Sequence, residues 1–152
     1  MLRAAFGLAL SLCWLPFALA SPGAVSTARD EPTLRVFADS SLRGAFGELS
    51  AVYNRGHRAD VVFTFVTPAT SGERILEAAP INVFAGANLA QLEAVQRATG
   101  KVLGRPQVFG RSRAYQIAAY AEGPVWMQSL ARDFVDLVIS RKGQAVLAKW
   151  GL

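Results

Sequence analysis

The sequence predicts an α/β domain with three layers, in which a parallel or mixed sheet carries helices on both faces. Between Leu34 and Gly100, three segments with strand character alternate with three segments with helical character. Alternation of this kind favours parallel strands joined by right-handed crossovers. Apolar residues at helical spacing near the C-terminus predict two further helices.

The first strand and the first helix meet at a junction of polar residues. An apolar segment, 34–38, is followed by Asp39, Ser40 and Ser41. The helix is predicted by apolar residues at helical spacing, Leu42, Phe46, Leu49, Val52 and Tyr53. We expect Ser40 and Ser41 at the capping position, where unpaired backbone N–H groups and the helix dipole would attract an oxyanion. The alternative is that the two serines only cap the helix.

A second junction has the same character. The strand predicted at 61–66 leads into a polar loop, 67–72, and a short helix at 73–78 ends before Pro80. In a parallel sheet both junctions open at the carboxyl ends of the strands, where doubly wound folds bind ligands. Hydroxyl groups and backbone amides at that edge suit a tetrahedral oxyanion better than a cation, which would call for carboxylates and carbonyls.

Local signals predict the remaining elements. A third strand is expected at 82–86, and the next helix begins after Asn88 and ends at Gly100. Short extended segments are expected at 102–103 and 108–109. A further strand is expected at 115–120. It is followed by a helix with four apolar residues on one face, Leu130, Phe134, Leu137 and Val138. The final helix is expected from about Lys142, with Val146, Leu147 and Trp150 in the core.

The N-terminus and the composition indicate an exported chain. Residues 1–20 have the positive start, short apolar core and small final residues of a secretory signal peptide. A flexible lead-in, 21–33, precedes a single domain, 34–152. Removing the peptide would remove Cys13, the only cysteine, and leave a periplasmic or secreted chain without thiols. The formal net charge of +5 suits small anions, and no docking motif indicates nucleic acid.

The sequence lacks the common signatures of enzymes. It contains no phosphate-binding loop, dinucleotide fingerprint, zinc-protease helix or nucleophile elbow. The only histidine, His57, is expected in a solvated turn without a second metal ligand. The acid pairs Asp133/Asp136 and Glu73/Glu77 are expected on solvated helix faces. We therefore expect a protein that is not an enzyme and that has no metal or cofactor site.

Three blocks of the chain together resemble the periplasmic molybdate-binding proteins of ABC transporters. They are the segments 36–46, 75–88 and 131–152. The resemblance implies the fold of one lobe of a type II periplasmic binding protein. It also implies capture of a tetrahedral oxyanion such as molybdate, tungstate or a sulfate-like ion, followed by delivery to a membrane permease.

The resemblance carries over only part of a ligand site. It assigns Ser41, beside Ser40, as the first ligand residue. The second hydroxyl falls at Thr67, Thr70 or Ser71, and Thr70 and Ser71 are preferred because the glycine after them lets the backbone approach a ligand.

The chain departs from the family at three places. Asp39 replaces a small neutral residue, and its carboxylate would cost about 1 kcal/mol or more beside an oxyanion unless it turned outward or paired with an arginine. Asn82 replaces an acid. The second lobe is missing, because the chain passes from Gly110 to Tyr115 almost directly. The expected half-site would bind weakly unless a partner or a second copy completed it. The alternative is a relative that lost the ligand and acts as a secreted interaction module.

Overall fold

Five strands form one sheet in the computed structural model, which describes residues 31–57, 59–67, 80–100, 104–110 and 113–152. The strands are β1 (Thr33–Asp39), β2 (Asp60–Val66), β3 (Val83–Gly86), β4 (Gln107–Phe109) and β5 (Tyr115–Ala119). Their order across the sheet is β2-β1-β3-β5-β4.

Four helices accompany these strands within the described residues. They are α1 (Arg43–Gly56), α2 (Leu89–Thr99), α3 (Val125–Ile139) and α4 (Arg141–Lys149), and a single 3-10 turn (Ser40–Leu42) joins β1 to α1. All four helices were predicted, whereas the predicted helix at 73–78 and the extended segment at 102–103 lie outside the described residues. No helix of the described part is long and apolar enough to span a bilayer.

Strand direction divides the sheet into two parts. β1 pairs in parallel with both β2 and β3, as the alternation of strands and helices predicted. β5 runs antiparallel to β3, and β4 runs antiparallel to β5, so the sheet is mixed. Because Gly86 pairs with Gln116, β5 begins beside the end of β3. This reversal brings Tyr115 to the carboxyl edge of the parallel strands.

Helices cover both faces of the sheet, which confirms the predicted three-layer α/β fold. On one face, side chains of α1, α3 and α4 pack with Leu34, Val36 and Ala38 of β1. On the other face, α2 packs with Phe37, the residue of β1 whose side chain alternates to that side. Phe46, fully buried, lies at the centre of the first face with three aromatic rings about 6.0 Å away, those of Phe63, Phe109 and Phe134.

The final helix packs closely against α3 through a glycine. The Gly143 N–H donates to Ser140 Oγ at 3.1 Å, which caps α4. A Cβ on Gly143 would collide with the carbonyl oxygens of Leu137 and Val138. The two helices therefore require glycine at this contact.

One core prediction at the C-terminus was only partly right. Val146 and Leu147 are buried as predicted, but Trp150 keeps 52% of its surface exposed. Its ring lies over Gly44 in the first turn of α1, where a Cβ would collide with it. Trp150 therefore covers the edge of the core and is not buried in it.

Candidate functional site

The carboxyl edge of the sheet brings together some of the residues predicted as ligands. β1 ends at Asp39, and Ser40 and Ser41 follow in the 3-10 turn, both exposed. Thr70 and Ser71, which were predicted to supply the second ligand hydroxyl, lie outside the described residues.

Asp39 caps the first turn in place of the two serines. Its Oδ1 accepts the Ser41 N–H at 3.0 Å and the Ser41 hydroxyl at 2.6 Å. The prediction that Ser40 and Ser41 take the capping position was therefore wrong. Asp39 takes it because it is the last extended residue, at φ −58° and ψ 141°, and because a carboxylate is favoured at the positive end of a helix.

A tyrosine that sequence reasoning missed extends this arrangement. The hydroxyl oxygens of Tyr115 and Ser41 lie 3.0 Å apart. An ionised carboxylate only accepts, so the single Ser41 hydroxyl hydrogen goes to Asp39 and the Tyr115 hydroxyl donates to Ser41. The result is a chain of hydrogen bonds from Tyr115 through Ser41 to Asp39, which we call the Asp39 relay.

The Asp39 relay occupies the groups that were expected to hold an anion. The Ser41 N–H and the Ser41 hydroxyl both donate to the protein's own carboxylate. Asp39 is buried, with 5% of its surface exposed, so it neither turns outward nor leaves the edge. Across the described residues, no lysine or arginine lies within ion-pair distance of it. An oxyanion that bound here would meet a negative charge that no described cation neutralises.

A cation does lie at the same edge of the sheet. The Arg43 guanidinium, in the first turn of α1, sits 4.4 Å from the centre of the Phe65 ring. Phe65 pairs with Ala38, one residue before Asp39. This cation–π contact holds a positive charge over the end of β2 without bringing it to the Asp39 carboxylate.

The junction after β3 uses its own polar groups for capping. The Asn88 side chain accepts the Gln91 N–H at 2.9 Å, as the predicted cap requires. The Gln91 side chain folds back and accepts the Ala87 N–H at 2.8 Å. These backbone donors are already paired, as the Ser41 N–H is in the turn after β1.

Asn82, which stands where the resembled family has an acid, has a structural role here. Asn82 lies just before β3 with 8% of its surface exposed. Its Oδ1 accepts the Arg35 N–H at 2.8 Å, and its own N–H donates to the Arg35 carbonyl at 2.9 Å. The residue links β1 to β3 at their amino ends, away from the candidate site.

His57 is held more firmly than a solvated turn residue. Its ring stacks on Tyr53 at 4.1 Å, and its Nε2 lies 3.6 Å from Asp133 Oδ2. The Tyr53 hydroxyl donates to the Leu130 carbonyl at 2.8 Å, so these contacts join the end of α1 to α3. Within the described ranges, no group of three or more histidine, cysteine or acidic residues could hold a metal ion.

A cavity of about 300 Å³ lies at the opposite end of the sheet. It opens where β5 ends and β4 begins, and Arg105, Arg132 and Asp136 contribute charges to its wall. Because β5 is antiparallel, this end corresponds to the amino ends of β1 and β3. The cavity is therefore separate from the predicted ligand edge.

Comparison with known proteins identifies the fold. No family model matches the chain, and no curated protein matches it. A solved structure described as the "substrate binding domain of putative molybdenum ABC transporter from Clostridium difficile" is similar, with a TM-score of 0.61 and 9% sequence identity. The match covers 79% of this chain and 97% of that chain. The shared fold thus extends over nearly all of a solved substrate-binding domain, and the predicted binding-protein fold is confirmed.

Proposed function

We propose that the chain is a solute-binding domain that captures a tetrahedral oxyanion in the periplasm and delivers it to the permease of an ABC transporter. The similarity in fold to a substrate-binding domain carries this proposal. Because that domain belongs to a putative molybdenum transporter, molybdate and tungstate are the first ligands to test, with sulfate as a third oxyanion. Under this proposal the protein binds and transfers its ligand and catalyses no reaction.

The proposed site is the turn after β1, with Ser41 and Ser40 as ligand residues. Both residues are exposed at the edge where α/β sheets bind ligands. The positive end of α1 and the Arg43 guanidinium favour an anion at this place. Thr70 and Ser71 are proposed to contribute the second hydroxyl. We expect weak binding, because the site is open on one side and because Asp39 already holds Ser41.

The Asp39 relay also favours a second candidate, a secreted interaction module that binds no oxyanion. In the relay, Ser41 and Tyr115 have hydrogen-bond partners without a ligand. A domain whose former binding-site residues form hydrogen bonds with one another in this way would remain folded and stable without a ligand. The two candidates differ in one measurable property, which is the heat of oxyanion binding.

Isothermal titration calorimetry of the exported chain with molybdate, tungstate and sulfate tests the proposal. We expect saturable binding of at least one anion, and weaker binding by Ser41→Ala. Ser50→Ala is a matched control, because Ser50 lies in α1 and its hydroxyl donates only to the Gly47 carbonyl. If the folded chain gives no heat with any of the three anions, and none with other tetrahedral oxyanions, the interaction module is the better account.

A further inference from the structure

The cavity at the amino ends of β1 and β3 has the size and the lining of a ligand site. Its volume of about 300 Å³ is at the lower end of the range of about 300–1,000 Å³ that small-molecule sites occupy. Val135 and Tyr120, both buried, line it together with Ala119 and Ala121. The Gly104 N–H donates to the Ala119 carbonyl at 2.7 Å and fixes two lining segments to each other. This part of the wall is therefore in place without a ligand.

Three charged side chains line the cavity and form no ion pair with any described residue. They are Arg105, Arg132 and Asp136. Arg132 Nη2 donates to Gln128 Oε1 at 3.1 Å, which uses one of the five guanidinium donors. Arg132 and Asp136 lie four residues apart on one face of α3, a spacing at which opposite charges commonly pair. Because they do not pair here, both charges are open to a ligand.

The arrangement of charges favours a ligand that carries two opposite charges close together. A carboxylate accepts from arginine through two parallel hydrogen bonds, and an ammonium group donates to a carboxylate such as that of Asp136. Side chains four residues apart on a helix have Cβ atoms about 5–6 Å apart, so Arg132 and Asp136 reach neighbouring groups of one small molecule. An inorganic oxyanion would attract the two arginines only and would be repelled by Asp136.

We propose that this cavity binds a free amino acid with an aliphatic side chain. Its carboxylate contacts Arg105 and Arg132, its ammonium group contacts Asp136, and its side chain packs against Val135. The site lies at the opposite end of the sheet from Ser41, so it goes beyond the proposed oxyanion site and does not depend on it. Because the three charged side chains are exposed, each contact is weak and we expect a dissociation constant of about 0.1–1 mM.

An NMR titration of the isotope-labelled chain from Ser21 to Leu152 with L-leucine tests the proposal. The amide signals of Gly104, Ala119 and Ala121, which line the cavity, should change saturably. Two analogues of leucine are titrated in the same way: 4-methylpentanoate, which lacks the ammonium group, and 3-methylbutylamine, which lacks the carboxylate. We expect each analogue to bind at least about fivefold more weakly than leucine.

Two variants separate the roles of the charged residues. Asp136→Asn should weaken leucine binding by at least about fivefold without weakening the binding of 4-methylpentanoate, because that analogue has no ammonium group. Arg132→Gln should weaken the binding of both ligands, because both have the carboxylate. Asp133→Asn and Arg55→Gln are the matched controls, because both residues are exposed on helices and neither lines the cavity. Neither control should change the affinity for leucine.

The outcomes also distinguish this site from the proposed function. Ser41→Ala, which should weaken oxyanion binding, should leave leucine binding unchanged. No saturable change at the cavity with leucine, equal affinities for leucine and 4-methylpentanoate, or an unaltered affinity for leucine in Asp136→Asn overturns the amino-acid site and leaves the oxyanion proposal untouched. Circular dichroism verifies that each variant is folded, and if Arg132→Gln is not, the comparison of the two ligands on Asp136→Asn decides.

Discussion

Replacing Ser41 by alanine should destabilise the protein although Ser41 is an exposed residue. The substitution removes the hydroxyl that donates to Asp39 at 2.6 Å and that lies 3.0 Å from the Tyr115 hydroxyl. A hydrogen bond to a charged group contributes about 1.5–3 kcal/mol, and a buried donor left without an acceptor costs about 1–3 kcal/mol. Tyr115 is 1% exposed, so water would not readily replace the lost acceptor. Because the two effects overlap, we expect a loss of about 2–4 kcal/mol in the free energy of unfolding.

Urea unfolding followed by circular dichroism measures this loss. Tyr115→Phe and the double variant Ser41→Ala/Tyr115→Phe complete a double-mutant cycle. The double variant should be more stable than the sum of the single losses predicts, by about 1 kcal/mol, because no unpaired hydroxyl remains. Ser50→Ala, a helical serine with only a local bond, should change stability by no more than about 0.5 kcal/mol.

A loss below about 0.5 kcal/mol for Ser41→Ala would refute this reasoning. It would mean that the Ser41 hydroxyl is not held by Asp39 in solution. The hydroxyl would then be free to donate to an oxyanion.

Two further predictions concern packing and pH. Gly143→Ala should lower the free energy of unfolding by about 2 kcal/mol or more, because its methyl group would force α3 and α4 apart. Gly47→Ala, also a helical glycine but with open space around it, should raise it by about 0.5–1 kcal/mol, and thermal melts of the pair measure both. Burial raises the pKa of Tyr120 from 10.0 to about 12, with a further rise from Glu122 and an opposing effect of a hydrogen bond with Thr99. Since the folded pKa lies above the unfolded pKa, this contribution to stability is complete below pH 10 and should disappear between about pH 10 and 12. Urea unfolding across this range should show a shallower decline for Tyr120→Phe, and an identical decline in both chains would contradict the assignment.

The helix boundaries were predictable because they depend on neighbouring residues. Asn88 accepts the N–H three residues later, and Gly100 closes α2 with φ 64°, a left-handed conformation that favours glycine. Each of these signals lies within a few residues of the helix end that it sets.

The cap of the first turn shows why the site was harder to predict. Asp39, Ser40 and Ser41 are all good capping residues, so residue preference alone does not choose among them. The choice is made by strand pairing, since Asp39 pairs with Val66 and is thereby held in extended conformation. That contact joins residues 27 positions apart (66 − 39), and no local pattern reports it.

The role of Tyr115 depends on an equally distant contact. The sequence predicted a strand from this residue onward, but not that the strand would run antiparallel to β3. Only in that direction does the first residue of β5 meet the end of β1. Tyr115 could therefore be recognised as a site residue only from the antiparallel pairing of β5 with β3.

An NMR titration of the isotope-labelled chain from Ser21 to Leu152 with molybdate, and then with sulfate, tests the central claim most directly. We predict saturable changes in the amide signals of Ser40, Ser41 and Leu42 and around Tyr115, with molybdate acting at the lower concentration. Changes confined to the cavity beside Arg105 and Arg132, or none with either anion while the spectrum remains that of a folded protein, would contradict an oxyanion site at the carboxyl edge of the sheet.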